Sequence, residues 1–139
     1  MKKFVWTNEY SLGISIIDEQ HQHFFEIVNQ IYDMLEKSKN NKDDLIQIIK
    51  ELKDYAFFHL ATEEKYFNQF AYSDIANHMN AHTMFRVKAG EYSDRINNEK
   101  EDLPKLALEI TDFAKNWLSM HIIIADKMYA PLFKAKGLK

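Results

Sequence analysis

Four stretches of this chain carry apolar residues at alternating steps of three and four, the repeat of one helix face. In each of them a histidine or glutamate stands where a core leucine belongs. The first stripe runs through Ile17, His21, Phe24, Val28, Ile31 and Leu35. The second runs through Leu45, Ile49, Leu52, Ala56, His59, Glu63, Tyr66 and Phe70. The third has Ile75, His78, His82, Phe85, Ala89, Tyr92 and Ile96; the fourth has Leu106, Ile110, Phe113, Trp117, His121, Ile124 and Met128. Four amphipathic helices can hide their faces only against one another, so the chain is expected to be all-α.

The breaks between stripes read as helix ends. Asp18 is a candidate N-cap for the first helix, Asn41 or Asp43 for the second after the polar run Lys37–Asp44, and Ser73 for the third. Pro104 falls in the first turn of the fourth, where a missing N–H costs nothing. Residues 1–16, with Trp6, Tyr10 and Gly13, show no period and read as an extended arm lying on the bundle. Short connections favour antiparallel neighbours. The expectation is one domain over 1–139: arm 1–16, then helices at about 18–38, 42–69, 73–98 and 103–133 in an up-down-up-down antiparallel four-helix bundle. Only three glycines and two prolines in 139 residues agree with long uninterrupted helices.

Composition removes whole classes of function. With no cysteine, thiolate zinc sites, iron–sulfur clusters and cysteine nucleophiles are excluded. A net charge of −3 gives no electrostatic footprint for nucleic acid. The start, MKKFVWTNEY, has no apolar segment behind its lysines, and the aliphatic run 122–125 is far too short to span a bilayer. A cytoplasmic monomer without stable membrane insertion is expected.

In an antiparallel pair, two residues share a height when they are equally far from the connecting turn. The midpoint between His21 and His59 is Asn40, in the polar break. His59 with His82, and Glu63 with His78, both centre between Phe70 and Ala71. His82 with His121 centres between Glu101 and Asp102, just before Pro104. All the midpoints fall on turns expected independently, so the helices deliver these groups to one level. His59/Glu63 and His78/His82 are i,i+4 pairs that share a face. His121 and Asp126 are i,i+5, which suits a group reaching around the helix flank or a locally unwound turn.

The convergent set is therefore His21, His59, Glu63, His78, His82, His121 and Asp126. A lone buried histidine is usually a hydrogen-bonded core residue, and an isolated His/Glu pair is usually on the surface. Five of six histidines on core stripes at one height are another matter. His23, two residues from His21 and about 200° round the helix, should face solvent and serves as the internal control. One tetrahedral zinc uses four ligands and leaves three over. Two octahedral ions bridged by both carboxylates use all seven, and imidazole with carboxylate suits iron or manganese, with zinc a common impostor.

Here the chain resembles the hemerythrins, specifically the single-domain bacteriohemerythrins. The matching elements are Asp18-Glu19-Gln20-His21, His59-x-x-x-Glu63, His78-x-x-x-His82 and His121-x-x-x-x-Asp126, with the arm around Trp6 and Tyr10–Ile14 and with Trp117 one turn before His121. The resemblance covers essentially the whole chain. It implies reversible O2 binding, as carrier, store or delivery protein rather than enzyme, at two iron ions (Fe2+/Fe3+) bridged by Glu63, Asp126 and an oxo or hydroxo group. It implies that His78, His82 and His121 hold one iron and His21 and His59 the other. Leu118 and Ile122 match the family's apolar O2-pocket positions; Phe24, Phe25 and Phe58 are candidates for that pocket from helix spacing alone.

Three rivals, two enzymes and a sensor, stand against this reading. A ferritin-like di-iron oxidase or peroxide-reactive enzyme would carry Glu-x-x-His pairs, and no histidine here has a glutamate three residues before it. A zinc protease would need H-E-x-x-H, which His78–His82 lacks. An O2 or iron sensor would act through a separate partner, since 139 residues leave no room for an output domain.

Overall fold

A computed structural model of the chain describes residues 3–37 and 41–139. Its elements are a 3-10 turn at Asn8–Tyr10, α1 at Ser15–Glu36, α2 at Lys42–Gln69, α3 at Ile75–Ile96, α4 at Leu103–His121, a π-helical turn at Ile122–Asp126 and α5 at Lys127–Ala135. There is no strand among the described residues. α4, the π turn and α5 continue one another, so the chain is a four-helix bundle of up-down-up-down topology. Each of α1 to α4 packs on the next, and α4 closes the ring against α1. Arm residues 1–2, residue 38 of the first expected helix and the turn midpoint at Asn40 lie outside the described residues.

The helix ends show how the sequence sets the boundaries. Asn41 caps α2, its Oδ1 accepting from the amides of Asp43 and Asp44. Asp102 caps α4 by accepting from Lys105 N, with Pro104 in the first turn. Two expected caps are corrected. Ser73 does not cap α3; Asp74 precedes that helix, and its carboxylate is taken by Asn77 rather than by a backbone amide. Asp18 is not the first residue outside α1, because the helix begins at Ser15. From within the first turn its carboxylate accepts from Leu12 N, Ser11 Oγ and Gly13 N, which folds the arm back onto the helix. Gly13 makes that reversal at φ +73°, where a Cβ would come within 2.7 Å of Lys134 Nζ.

The arm is packed against α1. Phe4, Leu12 and Ile14 are buried, and the Asn29 amide bonds both the N–H and the C=O of Phe4. Phe4 stacks on Phe25, and Trp6 and Tyr10 meet the same ring edge-on.

The fourth stripe is out of phase beyond His121. Ile124 and Met128, expected in the core, are each 59% exposed. The π turn explains the difference. An i→i+5 repeat takes up one extra residue, so the buried positions at its end and beyond are Asp126, Tyr129 and Phe133.

Candidate metal centre

Each helix brings one part of the cluster. α1 supplies His21, α2 supplies His59 and Glu63 one turn apart, α3 supplies His78 and His82, and α4 ends on His121. The π turn ends on Asp126. On an ideal α-helix Asp126 would point about 140° away from His121; the wider turn returns it to the same side. His121 Nε2 lies 3.1 Å from Asp126 Oδ1. All seven groups are buried, while His23 sits in solvent against Glu26.

The five imidazoles turn their Nε2 atoms toward one interior space. His21 Nε2 is 3.0 Å from His59 Nε2, and His121 Nε2 is 2.9 Å from His78 Nε2. Asp126 spans the cluster, with Oδ1 3.0 Å from His78 and Oδ2 3.2 Å from His21. Glu63 Oε1 lies 3.3 Å from His59 Nε2 and 3.2 Å from His82 Nε2. The two imidazole pairs are within hydrogen-bond distance and direction, whereas the carboxylate contacts are close without being hydrogen bonds. Glu63 Oε1, His82 Nε2 and both oxygens of Asp126 have no hydrogen-bond partner. Buried polar atoms are nearly always satisfied, so lone pairs converging without partners are what a cation site requires. The donor atoms form two sets, Glu63/His78/His82/His121 and His21/His59/Glu63/Asp126, each within 4.8 Å of one another. The residues fit two ions that share Glu63, with Asp126 reaching both sets.

Electrostatics favour the ligand forms of the carboxylates. Burial opposes ionisation of Asp126, but the imidazoles of His121, His21 and His78 hold its carboxyl well below the usual range. Burial and Asp126 also oppose ionisation of Glu63, and His59 and His82 overcome both and lower it. Burial, helped by His59, pushes His21 down. Burial also disfavours the charged form of His59, yet Glu63 outweighs it and raises this imidazole.

A second layer of groups fixes the ligands; of these the sequence reading names Gln20 and Trp117 only as parts of the resemblance and does not single out Thr62, Glu64, Arg86 or Tyr129. His59 Nδ1 is 2.8 Å from Gln20 Oε1, and the Gln20 amide donates to Thr62 Oγ1. His82 Nδ1 is 2.8 Å from Glu64 Oε2, and Glu64 accepts two bonds from Arg86. A partner on Nδ1 places that nitrogen's proton and leaves the Nε2 lone pair facing inward. The Tyr129 hydroxyl donates to Glu63 Oε2 at 2.5 Å. Burial, with Asp126 and Glu63 adding to it, pushes the Tyr129 phenol well up, so it stays a proton donor. Trp117 stacks on His121 at 4.3 Å. The signals were faint: Glu64 follows Glu63 by one residue, Arg86 lies one turn beyond His82, and Tyr129 lies one turn beyond Asp126.

The apolar candidates divide. Leu118 and Ile122 are fully buried on either side of His121, and Phe24 is buried in the core. Phe25 is buried, but its ring partners are Phe4, Trp6 and Tyr10, which places it on the arm side. Phe58 is corrected: it is 56% exposed and stands beside Tyr55 on the outer face. It is one residue from His59, about 100° round the helix, and so points away from the cluster.

Residues 12–133 match the hemerythrin HHE cation binding domain. A bacteriohemerythrin of Clostridium acetobutylicum is 35% identical over 128 residues, covering 91% of this chain and 98% of that protein. A bacteriohemerythrin of Methylococcus capsulatus is 25% identical over 136 residues, covering 97% and 100%. Among solved structures, a wild-type hemerythrin superposes with a TM-score of 0.83 at 25% identity, covering 93% of this chain and 96% of that one.

Proposed function

The chain belongs to the hemerythrin family, and on that premise we propose that it binds O2 reversibly at a di-iron centre, as a carrier or store rather than an enzyme. The observation that carries this reading is the buried ring of five imidazoles and two carboxylates, in which Glu63 Oε1, His82 Nε2 and both Asp126 oxygens face inward without a hydrogen-bond partner. We assign His78, His82 and His121 to one iron, His21 and His59 to the other, and Glu63 and Asp126 to both. When bound, the ferrous pair supplies the two electrons that bound O2 accepts and returns.

The chain's own residues favour reversible binding. Gln20 and Glu64 hold His59 and His82 with Nε2 inward. Tyr129 occupies Glu63 Oε2 and keeps its proton, so the carboxylate is anchored without being neutralised. Leu118 and Ile122 close the interior beside His121 with apolar surface and keep water, and with it stray protons, away from the centre. The histidine-rich donor set supplies few anionic ligands to stabilise higher oxidation states of iron, which favours binding over turnover.

Iron per chain and the visible spectrum before and after deoxygenation test the proposal together. Two irons per chain and an absorption band that disappears without O2 and returns with it are expected. Irreversible O2 consumption by the reduced protein would favour the oxidase reading. A protein that binds no iron would refute the ligand assignment.

A further inference from the structure

The bundle contains a second concavity, about 230 Å³ in volume, on the Asn97 side of Phe85 and away from the metal cluster. Its walls are Ile49 and Leu52 from α2, Phe85 and Tyr92 from α3, and Ile110 and Phe113 from α4. At its mouth between α2 and α3 the chemistry changes. Lys50 and Lys53 stand there with Asp54, and among the described residues no ion pair joins Asp54 to either lysine. Lys53 Nζ donates to Ser93 Oγ across the mouth at 3.1 Å and lies 5.7 Å from the centre of the Phe57 ring, and an ammonium with three N–H groups can still turn one to a further acceptor. Lys50 is exposed and makes no hydrogen bond or ion pair among the described residues.

An apolar cavity with a few convergent polar groups at its rim is the usual form of a small-molecule site. The ligand must match both ends. Among these six wall residues only Tyr92 carries a polar tip, and its hydroxyl is engaged with Glu109, so what enters is hydrocarbon. Two ammonium groups against one carboxylate make the rim selective for an anionic head. An apolar cavity of about 150 Å³ holds the six carbons of benzene, so this one holds roughly eight or nine carbons. We propose that the cavity is a second ligand site for a free alkyl monocarboxylate of that length, with its tail among the core side chains and its carboxylate on Lys50 and Lys53. The site shares no residue with the metal cluster, and the proposal is independent of the O2 reading. The two are in touch through packing, because Phe85 lies 4.6 Å from Trp117, the ring that stacks on His121.

Calorimetric titration of the iron-loaded protein with octanoate, 1-octanol and octylamine tests the proposal. Octanoate is expected to bind at one per chain and more tightly than either analogue. The double variant Lys50→Gln/Lys53→Gln, which changes only the rim, should weaken octanoate about three- to tenfold and leave octanol unchanged. Ala89→Phe, which fills the cavity, should abolish binding of both; if that variant does not fold, Ser93→Leu at the half-buried mouth tests the same point. Octylamine binding as tightly as octanoate would overturn the assignment of the head group. Octanoate binding that is absent, or that ignores both the lysine and the cavity-filling variants, would overturn the site.

Discussion

Removing the metal should loosen α3 before any other helix. The reason is the meagre apolar anchorage of that element. α3 is 22 residues long, yet its only fully buried side chains are His78, His82, Phe85 and Tyr92. Buried positions are far more numerous on α1, where Ile17, Phe24, Ile27, Val28 and Ile31 all reach the core. Phe85 and Tyr92, at about 1.5–3 kcal/mol each, supply roughly 3–6 kcal/mol of hydrophobic tether. A helix of this length is only marginally stable in water by itself. Structural metal sites contribute on the order of 10–16 kcal/mol, and α3 provides two of the seven proposed ligands, a share of roughly 3–5 kcal/mol. Chelation therefore removes about half of what holds α3 to the bundle and also leaves two unsatisfied imidazoles in the interior. The assay is amide hydrogen exchange read by mass spectrometry on the iron-loaded and chelated protein. Amides in the middle of α3 should exchange about 10²–10³-fold faster after chelation, by the conversion of about 1.4 kcal/mol per decade. Those at 24–31 in α1 should change much less. If exchange accelerates equally in all four helices, or if α3 stays as protected as before, the idea that the ligands are its main anchor is wrong.

Three other outcomes follow from the same geometry. His23→Ala should leave the iron content near wild type, whereas His59→Ala or His82→Ala should lower it; equal losses for His23 and His59 would contradict the helix phase. Leu118→Ala should speed conversion of the oxygenated protein to the diferric state while iron content holds, with a stability cost of about 2–5 kcal/mol because the side chain is fully buried; the decay of the oxygen-dependent absorption band in air measures it, and an unchanged rate would remove Leu118 from the pocket. In the chelated protein, Glu63 and Asp126 have folded-state values below their unfolded ones. Their contribution is present above the ordinary carboxylate range of about 4 and is lost as pH falls through the depressed folded values. The melting temperature should therefore drop steeply below pH of about 4, and the double variant Glu63→Gln/Asp126→Asn should flatten that drop.

Much of the fold was written in local pattern. The steps of three and four identify helices because each buries one face, and this holds wherever the helix is regular. The equal heights of the histidines could be deduced because antiparallel neighbours leave a single register once the turns are located. What local pattern missed was the behaviour of the ends. Ser73 looks like a cap but Asp74 takes its place, and Asp18 looks like a cap yet works on the arm ahead of it. In neither case does a side chain take the first amides of the helix: Asp74 accepts from Asn77, and Asp18 accepts from Ser11, Leu12 and Gly13. What each carboxylate bonds depends on how the neighbouring segment packs, which spacing does not encode.

The π turn and the orienting layer show the same limit at the site. The i,i+5 spacing of His121 and Asp126 was visible, but it allowed either a side chain reaching round a regular helix or an unwound turn. The choice rests on Tyr129 and Phe133, which lie beyond the turn and reach the core once the phase has slipped by one residue, a slip that exposes Ile124 and Met128 instead. The bundle gains two large buried rings, and Asp126 arrives beside His121 by the same movement. Gln20, Glu64 and Arg86 were hidden for a different reason. Taken alone, each is a polar residue on a helix flank, indistinguishable from a solvated one until the neighbouring helix is in place. The ligands had to be buried and so broke the apolar pattern; the groups that aim them sit at the edge of the core, where polarity breaks nothing.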